Sequence, residues 1–262
     1  MLAWGLGYFG MPHVLLRFMA IEDEEKLKLS RRVASIWVII SLSVAVFIGI
    51  VGLSMTKAGA IETLTGSNSE TIIVKIAHLL STHGVATAII AGVILAGILA
   101  ATMSTADSQL LAASSAVSSD LLGNILKKKA DKKESMVADR VTLLLIAVVA
   151  VIIARNPDSS VFNIVSFAWA GFGAVFGPVV LFALFWKRTN WQGALAGMIS
   201  GGVMVFVWKY LVRPNVSFLN FYELLPAFLV SCAMIVIVSL ATKAPSKEII
   251  DEFETVQKRM AE

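Results

Sequence analysis

Val33–Thr56 reads VASIWVIISLSVAVFIGIVGLSMT, a stretch without one Asp, Glu, Lys or Arg. At about 1.5 Å per residue a helix of this length crosses a bilayer core of ~30 Å. Six further apolar segments surround it: Leu2–Phe18, Gly84–Ala106, Val141–Ala154, Ile164–Trp186, Thr189–Trp208 and Leu224–Thr242. Helical character after Gly84 is expected to run on to about Ser119. Val141–Ala154 is too short to span alone, so its helix should reach back toward Met136, with Arg140 and Arg155 snorkelling to the two interfaces. The composition agrees. Apolar types make up 57 % of the 262 residues, charged types 15 %, and the mean hydropathy is +0.81. A soluble domain carries about 25 % charged residues. These values exclude a soluble enzyme, a disordered tail and a nucleic-acid binder, and they imply an all-α membrane protein with seven transmembrane segments.

Charge between the segments sets the orientation. If Met1 faces outside and the chain alternates, 17 of the 22 basic residues fall on the inside and 5 on the outside. This is the positive-inside asymmetry of cytoplasmic loops. The net charge of +4 therefore points to a membrane surface, where the run Lys127–Lys133 would lie beside anionic lipid headgroups. Residues 1–242 read as a transmembrane bundle and 243–262 as a polar cytoplasmic tail. Pro245 stops the last helix of the bundle, and Ser246 with Glu248 begins a short charged one. Within the outside segment from Lys57 to His83, the apolar runs Ile61–Leu64 and Ile72–Leu80 predict a short helix packed over the mouth. The lone Cys232 excludes an intrachain disulfide framework and a cysteine zinc site. His13, His78 and His83 lack metal-ligand spacing.

Two stretches could carry chemistry. The first is Trp4–Pro12, WGLGYFGMP. Its three glycines cost a helix about 1 kcal/mol each and its proline about 3. Irregular backbone at membrane depth survives only where it is buried in protein or lines a cavity. Broken helices of this kind hold substrate and ions in secondary transporters. Trp4 and Tyr8 would share a face if the helix holds locally, and an aromatic pair beside unwound backbone suits a small solute with an apolar ring or chain. The bland alternative is a proline-kinked packing helix with interfacial aromatics. The second stretch is Ala101–Asp107, ATMSTAD. Ala101, Ser104 and Thr105 fall at i, i+3 and i+4 on one face, so two hydroxyls and a carbonyl could serve a hard monovalent cation. Back-bonding of the hydroxyls to i−4 carbonyls is the alternative. Asp107 lies close by and would face the bundle interior or water. Gly173 and Gly177, and Gly193, Gly197 and Gly201, have the small-xxx-small spacing of close helix contacts.

These residues resemble the sodium/solute symporter family. Trp4–Met19, WGLGYFGMPHVLLRFM, is similar to the family's broken helix, and Gly97–Leu111, GILAATMSTADSQLL, to its sodium-site helix. The block from Asn156 to Lys209 is similar to the proline-transporting branch. The resemblance implies two inverted five-helix repeats with flanking helices. This chain would then hold the second repeat plus two C-terminal helices. It further implies sodium-coupled symport of proline or a close analogue across the cell membrane, with no enzyme chemistry. Ala101, through its carbonyl, and Ser104 and Thr105, through their hydroxyls, would bind sodium; Trp4, Gly7, Tyr8 and Pro12 would line the proline site. Met11 departs from the glutamine expected of that branch and leaves fine substrate preference open. A start in a broken outside-facing helix, with no basic leader, leads one to expect further spans before Met1. The remaining sodium ligands would come from that N-terminal repeat. Two other readings stand beside this one: a non-transporting membrane sensor or interaction module, and a truncated chain that is inactive alone.

Overall fold

The structure is a computed structural model that describes residues 4–23, 25–117, 132–155 and 160–261. Every regular element among the described residues is helical. In chain order the α-helices are α1 (Trp4–Gly7), α2 (Pro12–Met19), α3 (Lys26–Lys57), α4 (Ile72–Ser81), α5 (Val85–Ser115), α6 (Lys132–Ala154), α7 (Val161–Phe185), α8 (Trp191–Val207), α9 (Arg213–Asn215), α10 (Leu224–Ala241) and α11 (Lys247–Ala261). Among the described residues, six stretches are long and apolar enough to cross a membrane: α3, α5, Met136–Ala154, α7, Trp191–Asn215 and α10. The seventh expected segment is the broken one. It appears as α1, a 3₁₀ turn over Tyr8–Gly10, and α2. The basic run 127–133 lies outside the described residues except for Lys132 and Lys133, which open α6.

The chain divides into two compact units, 21–161 and the combination of 1–20 with 162–262. In the first of these, α3 is covered by apolar side chains that remain exposed, such as Trp37 at 68 %. Outward-facing hydrocarbon carries no penalty where lipid is the solvent. Gly52 marks where α3 meets α4, because a Cβ there would lie 2.3 Å from Ile72 Cγ1. Gly84 turns the chain from α4 into α5 at φ +122, a conformation that favours glycine. Ser114 Oγ donates to the Asp139 carbonyl at 2.8 Å and so joins α5 to α6. In the loop before α4, Glu62 pairs with Lys75, and the Glu70 carboxylate accepts from Ser160 Oγ and from Val161 N. That carboxylate satisfies a donor that the first turn of a helix leaves open.

The other unit is built on small residues. Ala170, Ala174, Val205, Leu224, Ala227 and Phe228 form its core. A Cβ on Gly193 or Gly197 of α8 would strike Ser239 Oγ or Ile235 Cγ1 of α10, at 1.9 and 2.4 Å. One on Gly201 would meet the Ala174 carbonyl at 2.5 Å. Ala174 stands four residues before Pro178, which is buried inside α7 and has no N–H to give that carbonyl. Glycine lets α8 sit over the oxygen that the proline leaves without its helical donor. The glycine spacing that predicted close helix contacts therefore finds them, and α10 is the partner for most of this row. The tail holds the short charged helix that its sequence predicts. The Ser246 carbonyl accepts from Ile250 N at 3.2 Å to start α11, which docks on the end of α7 through Gln257 Nε2 and the Leu184 carbonyl, 3.0 Å apart.

Candidate solute and cation sites

The break in the first segment has a local cause. Pro12 occupies the first position of α2, where a missing N–H costs nothing, and it restricts the residue before it to extended backbone. Met11 obeys, at φ −68 and ψ 126, and its carbonyl accepts from Val14 N and Leu15 N at 2.9 Å. Met11 is 1 % exposed. Upstream, α1 ends at Gly7 and the tighter 3₁₀ turn begins at Tyr8. The condition under which Trp4 and Tyr8 share an α-helical face is thus not met, since the α-helix stops between them. Trp4 opens α1; its side chain lies outside the described part of the structure.

What seats this segment is backbone against backbone. A Cβ on Gly7 would fall 2.2 Å from Gly173 Cα, and one on Gly10 would fall 2.4 Å from Gly177 N. The Gly173/Gly177 pair of α7 is the cradle for the broken helix. Gly7 accordingly has a packing partner. Tyr8 is left 53 % exposed, with its ring 5.8 Å from that of Trp169 and inclined to it by 38°. His13 meets the same indole nearly edge-on at 6.2 Å. Sequence reasoning missed Trp169. The signal was available, because Trp169 precedes Gly173 by four residues and so shares the α7 face that receives the broken helix.

In the other unit Ala101, Ser104, Thr105 and Asp107 all lie on α5 and are exposed. Thr105 Oγ1 donates to the Ala101 carbonyl at 3.1 Å, and Thr102 Oγ1 to that of Ile98 at 2.9 Å. The back-bonding foreseen as an alternative is therefore present. It leaves the hydroxyl's own lone pairs open to a cation. A hydroxyl has one donor and two lone pairs, and a carbonyl has two lone pairs. The bond uses the hydroxyl's proton and one lone pair of the Ala101 carbonyl; the helix ladder of α5 takes the other, so that carbonyl meets a cation only once the Thr105 side chain turns away. Ala101 also lines an apolar groove of about 970 Å³ whose walls include Trp37 and Val44 of α3.

A family model described as "Sodium:solute symporter family" matches residues 1–201. The chain belongs to the sodium:solute symporter family. It is 42 % identical over 254 residues to a sodium/proline symporter of Salmonella typhimurium, covering 97 % of this chain and 49 % of the relative. A sodium/proline symporter of Escherichia coli is likewise 42 % identical, with 100 % and 49 % covered. The high-affinity proline transporter PutP of Bacillus subtilis is 40 % identical, with 99 % and 52 % covered. The chain spans about half the length of the curated relatives it matches. No solved structure matches it. Family and apolar helices together make this a multi-pass membrane protein of a transporter family.

Proposed function

We propose that this chain forms part of a transporter that couples inward sodium flow to uptake of proline or a close analogue. The observation that carries it is the broken segment of a chain about 40 % identical to proline transporters. Its glycines seat it on α7, and its exposed Tyr8 faces Trp169. The flat rings of Tyr8 and Trp169 suit the apolar carbons of a pyrrolidine ring and its cationic nitrogen. Trp4 and Pro12 belong to the same segment, with Gly7 holding its backbone in place. Sodium is cargo here and is bound by the Ala101 carbonyl and the Ser104 and Thr105 hydroxyls. Its remaining ligands come from a segment equivalent to the half of the relatives that this chain does not span. That half is the first of two inverted repeats.

The membrane is the cell membrane, and the 17-to-5 division of basic residues supports a cytoplasmic polar tail. Each sodium charge entering gains about 2.3 kcal/mol per 100 mV, besides its concentration gradient. Coupling requires that sodium bind the solute-competent state better than the other. In a chimera with this chain in place of the matching half of the Escherichia coli relative, Trp4→Ala and Tyr8→Ala should raise the half-saturating proline concentration several-fold. Unchanged proline affinity in both variants would refute the solute site.

A further inference from the structure

Where α8 ends, the helical path widens into a π turn over Trp208–Val212 before α9. A cavity of about 520 Å³ opens there, lined by Ser166 of α7, Lys209, Arg213, Tyr222 and Glu223 among others. The Glu223 side chain is 3 % exposed, and its Oε2 lies 3.5 Å from Arg213 Nη1. Arg213 Nε also donates to Asn220 Oδ1 at 2.8 Å. Arg213 and Glu223 offset each other, so the excess charge belongs to Lys209. No carboxylate among the described residues pairs with Lys209. Its ammonium instead sits 3.6 Å from the centre of the Phe167 ring.

Ser166 is 8 % exposed, and its Oγ has no hydrogen-bond partner among the described residues. Leaving such a buried hydroxyl unsatisfied is unfavourable, so a partner for it is expected. The Tyr222 hydroxyl donates to the Ser166 carbonyl and ties the approach of α10 to α7. Three groups of the cavity can donate to an oxyanion: an ammonium, a serine hydroxyl and the spare N–H groups of a guanidinium; Asn163 and the Glu223 carboxylate line it too. Beside them lies an aromatic face. Phe206 and Tyr210 are 57 % and 60 % exposed, their rings stack at 6.4 Å, and Phe167 stands edge-on to both. The stretch Trp191–Asn215, long enough to cross the membrane, finishes at this level, where cationic side chains and aromatic rings meet the headgroups.

We propose that this cavity binds the phosphate group of a phospholipid through Lys209, Ser166 and Arg213, with the acyl chains lying along Phe206 and Tyr210. Free inorganic phosphate would satisfy the same donors, but the adjoining apolar face favours the lipid. The chain, purified in neutral detergent, is titrated with a short-chain phosphatidylglycerol and followed by native mass spectrometry, with inorganic phosphate titrated in parallel. One lipid should be retained. Lys209→Gln and Ser166→Ala should each weaken retention about tenfold, in keeping with a charge-assisted bond and a buried hydroxyl. Lys243→Gln, which removes an exposed lysine of the tail, should leave it unchanged. Displacement of the lipid by an equal concentration of phosphate would support the oxyanion site and assign it a soluble occupant. Equal retention by the parent and both site variants, each with a parent-like circular-dichroism melt, would overturn the proposal. If Lys209→Gln fails to fold, Ser166→Ala carries the test, since it removes a single oxygen.

Discussion

A methyl group at Gly7 would lie 2.2 Å from Gly173 Cα, whereas one at Gly5 meets nothing within 4 Å. Gly7→Ala should therefore lower stability by ~1–3 kcal/mol, the usual cost of overpacking. Gly5→Ala should be neutral or add up to ~1 kcal/mol through helix propensity. Thermal unfolding in detergent measures both, and equal melting temperatures for the two variants would contradict the Gly7–Gly173 contact. The glycines themselves were legible in the sequence. Which of them met a neighbour was not, because spacing along one helix names a face and never the residue opposite. A second residue-scale prediction concerns pH. Burial first, and the Glu223 carboxylate second, push the Tyr222 phenol from the ordinary 10.0 up to about 12. The folded state thus keeps a proton that the unfolded state sheds earlier, so stability falls as pH rises from about 10 toward 12. A tyrosinate absorbance step near pH 12 should vanish in Tyr222→Phe; its persistence would place that step on another tyrosine.

Helix ends illustrate what an element's own sequence can disclose. Asn190 caps α8, its Oδ1 accepting from Gly193 N at 2.8 Å. Its Nδ2 donates to Thr242 Oγ1 and to the Lys243 carbonyl, at 2.7 and 2.8 Å, where α10 ends. Asn190→Ala should cost about 1–2 kcal/mol, the range for a lost cap. Asn190→Asp keeps the acceptor and loses both donors, so its melting temperature should fall between those of parent and alanine variant. An aspartate variant that melts with the alanine one would show that the cap contributes nothing. An Asn just before an apolar run is a readable start signal, but Thr242 lies 52 residues away and no local pattern points to it. The same boundary separates success from failure elsewhere. The Ile72–Leu80 run foretold α4 (Ile72–Ser81), and Pro12 with three glycines foretold a break. The charge-free run ending at Trp208 gave no warning that the helical path continues to Asn215. Hydropathy stops at Lys209, while the backbone goes on through a π turn that the charged side chains tolerate at the interface.

For the whole molecule, seven apolar segments and an all-helical fold among the described residues follow from periodicity and charge, and three motif blocks carry the resemblance to the family that the chain belongs to. Each of these is written locally. The candidate sites were legible only in part. Ala101, Ser104 and Thr105 were picked out by i, i+3, i+4 spacing and lie exposed on α5. Spacing could have placed Trp169 on the face of Gly173, but its meeting with Tyr8 depends on how α7 receives a segment more than 150 residues earlier in the chain. The proposed function rests on the hydroxyl face of α5, so sodium dependence is the decisive quantity. The measurement is proline uptake against sodium concentration in proteoliposomes. They hold the chimera in which this chain replaces the matching half of the Escherichia coli relative, with and without Ser104→Ala and Thr105→Ala together. Loss of two hydroxyl ligands should raise the sodium concentration for half-maximal uptake by at least about tenfold, with proline uptake recovering at high sodium. An unchanged sodium dependence in the double variant would contradict the sodium site on α5.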